Sequence, residues 1–118
     1  MLFAGARPIV HGKTDRARLV ARELEAHRAE YEVLNARYGV RAHAMRVTHL
    51  IDGQDLWAYA YEMDPEDLRV MRGRVFDPER SAYDRWWLEW VIDVLGIDML
   101  SGNGFAAPPE PIFEWTAP

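Results

Sequence analysis

The spacing of apolar residues predicts a strand and then a helix at the start of the chain. Residues 2–11 form a largely apolar run. Pro8 interrupts it and lacks the N–H that a sheet ladder needs, so we expect a strand that is bulged or unpaired on one side at that point. Residues 15–38 carry apolar side chains three and four positions apart, which is the repeat of an amphipathic helix. Thr14 is the expected N-cap and Gly39 the expected end of this helix.

The middle of the chain has the pattern of a β-hairpin. An alternating run over residues 40–51 and an aromatic-rich run over residues 56–63 flank a group of turn residues. A tight turn centred on Gly53-Gln54 predicts that His49 pairs with Ala58. In this register, one face of the hairpin is small and carries two histidines, while the other face is aromatic. The aromatic face comprises Leu50, Trp57, Tyr59, Tyr61 and Met63.

Two Asp-Pro pairs mark the starts of two further helices, because each places an N-cap residue before a proline at the first helical position. The pair at residues 64–65 predicts a short helix that ends near Gly73. The pair at residues 77–78 predicts a helix from about 78 to 95, ending at Gly96.

The predicted order of elements is βαββαβ, with a last strand at residues 111–116 inside a loop-rich tail over residues 97–118. This order is that of the ferredoxin-like α+β fold, in which helices cover one face of an antiparallel sheet. The 118 residues favour a single domain over residues 1–118. The aromatic hairpin face would then lie on the open side of the sheet, and an apolar patch of that size favours a homodimer that pairs two sheets.

Several motifs resemble those of the dimeric α/β barrel superfamily. They are His11-Gly12-Lys13 before the long helix, Asp52-Gly53 followed by Leu-Trp-Ala-Tyr-Ala-Tyr, Asp64-Pro65-Glu66-Asp67, and the late Phe-Glu-Trp. The similarity spans nearly the whole chain and is greatest to a small bacterial branch of unknown function. It implies sheets paired into a barrel. It also implies a shortlist of activities: cofactor-free quinone monooxygenases, polyketide cyclases, muconolactone-type isomerases, haem-handling enzymes and stress-response proteins. No position matches a catalytic residue of these families.

Composition narrows the classes of partner. Apolar residues make up 49% and charged residues 28% of the chain, as in ordinary soluble domains. Cysteine is absent, which excludes disulfides and cysteine nucleophiles. The net charge of −5 argues against nucleic-acid binding. No apolar run approaches the roughly 18–20 residues of a membrane span, and the first residues lack signal-peptide features. We therefore expect a cytoplasmic protein without a membrane partner.

The histidines are the candidate catalytic residues, because only they titrate unperturbed near neutral pH. His43 and His49 lie about 20 Å apart along their strand at roughly 3.3 Å per residue, too far to hold one metal ion. We expect no metal and no cofactor. We predict that His49 is the general base or acid, in a pocket beneath the tryptophan-bearing helix, and that His43 is a second catalytic residue. Alternatively, His49 is a buried histidine bound to a backbone carbonyl or to Tyr31.

Aromatic and basic side chains are the candidate ligand contacts. The predicted substrate-binding residues are Tyr59, Tyr61, Arg46, Trp86, Trp90 and His27. Each of these residues also has a purely structural interpretation. Arg46 would form cation–π stacking at a dimer interface, the tryptophans would pack in the core, and His27 would lie at the edge of the buried face of its helix.

The sequence thus predicts a small-molecule enzyme that acts on an apolar or aromatic metabolite by cofactor-free acid/base chemistry, as a polyketide-type cyclase or isomerase. The alternatives are a non-catalytic ligand-binding or dimerisation module and a cofactor-independent monooxygenase. A cavity of about 300 Å³ or more beside His49 would favour an enzyme or ligand carrier over a module with a solid core.

Overall fold

Three strands and four helices make up the part of the chain that the computed structural model describes, namely residues 1–71, 75–100, 112–113 and 115–118. The elements follow one another as β1 (Leu2–Pro8), α1 (Thr14–Ala26), α2 (Arg28–Arg37), β2 (Ala42–His49), β3 (Asp55–Glu62), α3 (Pro65–Met71) and α4 (Ala82–Leu95).

The strands form one antiparallel sheet in the order β1-β3-β2. β3 lies between β1 and β2 and is antiparallel to both, which is the arrangement of a split βαβ unit. An α+β fold with an antiparallel sheet is therefore confirmed. The predicted last strand falls partly outside the described residues, at 111 and 114, and residues 112, 113, 115 and 116 form no strand. The complete βαββαβ topology stays a prediction.

The hairpin register differs from the predicted one. His49 pairs with Asp55 and not with Ala58, a shift of three positions along β3. The cause is a longer turn: the Leu50 N–H donates to the Gln54 carbonyl at 2.9 Å, and an Asp52 carboxylate accepts from the Gln54 N–H at 2.9 Å. An odd shift moves one strand's side chains to the opposite face of the sheet. The histidines of β2 therefore share a face with the aromatic residues of β3.

The helices cover this aromatic face, so the prediction of an open aromatic face is wrong. The covered positions are Phe3, Gly5 and Arg7 on β1, His43, Met45 and Val47 on β2, and Trp57, Tyr59 and Tyr61 on β3. The open face carries small side chains instead, including Ala4, Ala6, Ala42, Ala44, Ala58 and Ala60.

Two helix boundaries also differ from those predicted from the sequence. The helix predicted over residues 15–38 is divided into α1 and α2 at His27, whose φ of −110° and ψ of 39° leave the helical region. The helix predicted from residue 78 begins at Ala82, after the N-cap Ser81, whose hydroxyl accepts from the Asp84 N–H at 3.0 Å. Its end at Gly96, with φ of 67°, is confirmed, as is the proline-led start of α3.

Thr14 is the first residue of α1 and does not cap it. Its hydroxyl donates to the Asp55 carboxylate at 2.5 Å, which ties the start of α1 to the start of β3.

The core lies between the covered sheet face and the helices. Trp90 of α4 packs on Trp57 of β3 with ring centroids 5.0 Å apart. Val20 of α1 and Val94 of α4 are fully buried, as is Met63 at the end of β3. This packing holds α4 above the sheet and leaves the space described next.

Candidate functional site

A cavity of about 100 Å³ lies between the covered sheet face and the helices. Its walls are mainly aromatic and aliphatic, and Arg7 is the one charged residue among the described residues that line it. Its lining residues with polar side-chain atoms include His43, Tyr31, Tyr59 and Tyr61. Small-molecule binding sites usually have such a lining, with mostly apolar walls and a few polar groups.

Alternation along β3 builds one wall of this cavity. Trp57, Tyr59 and Tyr61 are separated by alanines, so the two-residue strand period places all three rings on the covered face. Gly5 makes room for one of these rings, because a Cβ at this position would lie 2.6 Å from the Tyr59 hydroxyl oxygen.

Helix α4 builds the facing wall. Trp87, Trp90 and Val91 recur at three- and four-residue spacing, which brings them to one side of the helix. Trp87 stacks on Phe76 with ring centroids 4.9 Å apart.

His43 is the titratable base at the cavity wall. Its Nδ1 is hydrogen-bonded to the hydroxyl of Tyr31, and its ring stacks on Tyr61 with centroids 4.3 Å apart. Its Nε2 is buried and has no hydrogen-bond partner among the described residues. One nitrogen is thus anchored by the protein, and the other is shielded from solvent without a hydrogen bond.

The surroundings of His43 keep it uncharged. Burial lowers the pKa of His43 to about 4, because an imidazolium in this apolar wall would lose its hydration. Burial also raises the pKa of Tyr31 and, more strongly, that of Tyr61. At neutral pH the cavity therefore holds a neutral imidazole between neutral phenols. Such an imidazole has one N–H donor and one acceptor nitrogen.

The predicted site residues divide among several places. His43, Tyr59, Tyr61 and Trp90 line the cavity. Arg46 is exposed on the open sheet face, where its strand partner is Ala58.

His49 lies outside the cavity, at the far end of β2, with an exposed side chain. Its Nδ1 is 2.6 Å from the Asp55 carboxylate, which also accepts from Thr14. The alternative of a buried His49 held by a backbone carbonyl or by Tyr31 is wrong, because His49 is exposed and its Nδ1 contacts Asp55.

His27 and Trp86 lie together in a different groove on the outer surface of the helices, lined also by Glu23, Glu30 and Tyr83. The Trp86 Nε1 donates to the Glu23 carboxylate at 3.0 Å, and the His27 Nδ1 lies 3.3 Å from Glu30. These polar groups satisfy one another at the protein surface. The structure does not bring them to His43.

Sequence reasoning missed Tyr31, Asn35 and Arg7 as lining residues of the cavity. Tyr31 belongs to the apolar stripe of the predicted helix, so its spacing indicated burial, and the sequence predicted it only as an alternative partner of His49. The position of Arg7 at the cavity follows from strand alternation, once it is known which face of β1 the helices cover.

In the described part of the chain, no group of three His, Asp or Glu side chains is arranged to hold a metal ion. None of the described helices combines the length and apolar character that crossing a membrane requires.

No protein-family model matches the chain, and no curated protein or solved structure matches it either. The resemblance to the dimeric α/β barrel superfamily thus stays a prediction.

Proposed function

We propose that the protein binds a small apolar or aromatic molecule in the cavity and acts on it by cofactor-free acid/base chemistry at His43. The observation that carries this proposal is that His43, whose buried Nε2 has no partner among the described residues, lines an aromatic cavity. A buried polar atom without a partner costs about 1–3 kcal/mol. A ligand atom bonded to Nε2 would remove this cost, and an apolar cavity gives a water few further partners.

The cavity volume limits the ligand to about one ring. An engineered apolar cavity of about 150 Å³ is known to take up benzene. This cavity is smaller, at about 100 Å³, but among the described residues it is open on one side, so a single ring would fill it and extend into its mouth. A multi-ring polyketide would require a wider space. Of the two predicted acid/base reactions, the volume therefore favours isomerisation of a single-ring compound over cyclisation of a polyketide.

A neutral imidazole suits such chemistry. With a pKa of about 4, His43 is uncharged at neutral pH, and a neutral imidazole can polarise a carbonyl oxygen through a hydrogen bond. The contacts with Tyr31 and Tyr61 hold the ring in one orientation. Fixed orientation lowers the entropy cost of bringing the reacting groups together.

Acetophenone is a suitable probe, because it is a single-ring ketone with exchangeable protons beside the carbonyl. Binding is followed by tryptophan fluorescence, since Trp57, Trp87 and Trp90 line the cavity. Exchange of the methyl protons in D₂O is followed by NMR. We expect saturable binding and exchange at least about 100-fold above buffer, the lower range of acid/base catalysis.

Two variants complete this experiment. His43→Phe keeps a ring against Tyr61 and should lose the exchange. Tyr38→Phe removes a hydroxyl that donates to the Val75 carbonyl at 2.6 Å, away from His43, and should behave like wild type. Binding without any exchange would contradict the catalytic part of the proposal and leave a ligand carrier. Absence of both would contradict the proposal as a whole.

A dimerisation module is the second candidate function, favoured by three observations. The cavity is smaller than the roughly 300 Å³ typical of ligand pockets, and His49 does not line it. The open sheet face also carries small alanines that would allow a second sheet to approach closely. Sedimentation of wild type against Ala60→Arg tests this candidate. A dimer that the substitution dissociates would support it, and a wild-type monomer would contradict it.

A further inference from the structure

We infer that the groove on the outer surface of the helices binds a small organic cation that carries a quaternary ammonium group. The groove has a volume of about 460 Å³ and is lined by Glu23, His27, Glu30, Ala82, Tyr83 and Trp86. None of these residues lines the cavity beside His43. The inference is therefore independent of the function proposed for that cavity.

Two aromatic rings form one side of the outer groove. Tyr83 and Trp86 stand at an interplanar angle of 89°, with ring centroids 5.6 Å apart. Their spacing of three residues brings both to the same side of α4. The Tyr83 hydroxyl is shielded from solvent, so this residue offers its ring to a ligand and not its hydroxyl. The face of an aromatic ring attracts a cation within about 6 Å, and corners built from several rings recognise quaternary ammonium groups.

The Trp86 ring is held in a fixed orientation. Its Nε1 donates to the Glu23 carboxylate at 3.0 Å. Its ring also packs against Trp87 and Trp90, with centroid distances of 5.9 and 6.4 Å. Because the ring is already ordered, a ligand that binds against it loses little affinity to the cost of immobilising a side chain.

Two carboxylates give the groove its negative charge. Glu23 lies 3.4 Å from Arg16, whose guanidinium is shared with Asp93 at 3.5 Å. This contact offsets part of the charge of Glu23. Glu30 lies 3.3 Å from the His27 Nδ1, and a neutral imidazole provides a hydrogen bond without a positive charge. The rings and the carboxylates therefore favour the same kind of ligand, a cation.

The hydrogen bonds within the groove indicate which class of cation fits. Oxygens of Glu23 and Glu30 already have partners in the protein, whereas a primary ammonium is strongly hydrated and brings three donors that need acceptors. A quaternary ammonium has no N–H group and an apolar outer surface, which suits two aromatic walls. His27 and Glu30 are exposed at the rim, and a bilayer surface would have to remove water from them. We therefore assign a water-soluble solute and not a lipid head group.

Choline and 3,3-dimethylbutan-1-ol are the probes, because they share a shape and only choline is charged. Saturation transfer to their methyl protons measures both affinities at constant ionic strength and pH 8, above the ordinary titration range of histidine. We expect choline to bind at least about threefold more tightly, with nuclear Overhauser contacts to the rings of Tyr83 and Trp86. Equal affinities would indicate an apolar groove and overturn the inference. Contacts elsewhere, or no saturable binding of choline, would overturn it as well.

Two glutamate variants form a matched pair. Glu30 and Glu66 are both exposed, and each contacts a side chain three positions away, His27 or Arg69. Glu66 lies on α3 and does not line the groove. Glu30→Gln should weaken choline binding by about twofold to fivefold, the range of exposed ion pairs, and leave the alcohol unaffected. Glu66→Gln should change neither affinity. Equal effects of the two variants would mean that choline responds only to net charge, which would contradict a site in the groove.

Trp86→Leu tests the aromatic wall. The preference for choline over the alcohol should fall below about twofold, and an unchanged preference would contradict the role of the ring. Should this variant fail to fold, the two glutamate variants decide, because both replace exposed side chains. Phosphatidylcholine vesicles carry the same ammonium group on a lipid. The protein should not sediment with them, and cosedimentation would overturn the assignment to a free solute.

Discussion

Replacing His43 by phenylalanine should remove a specific part of the acid sensitivity of the fold. The ordinary pKa of a histidine is 6.5, and burial lowers that of His43 to about 4. Between these two pH values, the unfolded chain binds a proton at His43 that the folded protein does not bind. The free energy of unfolding contributed by His43 is therefore constant above pH 6.5, falls as the pH drops, and stops falling below about pH 4.

The size of the effect follows from the difference between the two pKa values. One pKa unit corresponds to about 1.36 kcal/mol, so the whole change amounts to about 3 kcal/mol. About 2 kcal/mol of it is lost by about pH 5. Tyr31, Tyr61 and Tyr59 surround His43, with Arg7 at the same cavity wall. Burial raises the pKa values of Tyr31 and Tyr61 and so moves them away from this range. The change is therefore assigned to the imidazole.

Urea denaturation at pH 7.5, 6 and 5 measures this difference. His43→Phe also loses the bond to Tyr31, but that loss is the same at each pH. Carboxylates with lowered pKa values, such as Asp55 and Asp93, titrate in both proteins and cancel. With a urea dependence of about 1–3 kcal/mol per M, the gap between the two midpoints should change by roughly 1 M. Parallel loss of stability in the two proteins between pH 7.5 and 5 would refute the neutral, buried imidazole.

Three further substitutions test other parts of the structure. Asp84→Ala removes a buried carboxylate that accepts three hydrogen bonds. It should cost about 3 kcal/mol and lower the melting temperature by about 10 °C, and a shift under about 3 °C would be inconsistent. Gly5→Ala should displace the Tyr59 ring and cost about 1–3 kcal/mol, whereas unchanged Tyr59 NMR signals would show that the contact is absent. Thr14→Val should raise the pKa of Asp55 in an NMR titration, because the Thr14 hydrogen bond is the main cause of its lowering, and an unaltered pKa would exclude that cause.

Local features of the sequence were sufficient to predict most elements. The Asp-Pro start of α3 and the glycine end of α4 depend only on neighbouring residues, and both are confirmed. The alternation over β2 and β3 identified both strands. An antiparallel sheet also followed, because a short turn between two strands leaves no other arrangement.

The candidate site depended on features that local pattern does not determine. The hairpin turn has two plausible lengths. The hydrogen bond from the Gln54 N–H to the Asp52 carboxylate favours the longer turn. The longer turn moves the side chains of one strand to the opposite face of the sheet. The helix break at His27 has no glycine or proline to mark it. His43 meets Tyr31 only as a consequence of the register and of the position of α2 on the sheet. The prediction therefore named His43 but gave the central role to His49, which is exposed.

The central claim is that a single-ring molecule binds beside His43. Nuclear Overhauser contacts between bound acetophenone and assigned side-chain protons test it most directly. The cavity site predicts contacts from the acetophenone ring and methyl group to His43, Tyr61 and Trp87. Contacts to the outer groove at His27 and Trp86, or no contacts at concentrations that saturate the fluorescence change, would contradict it.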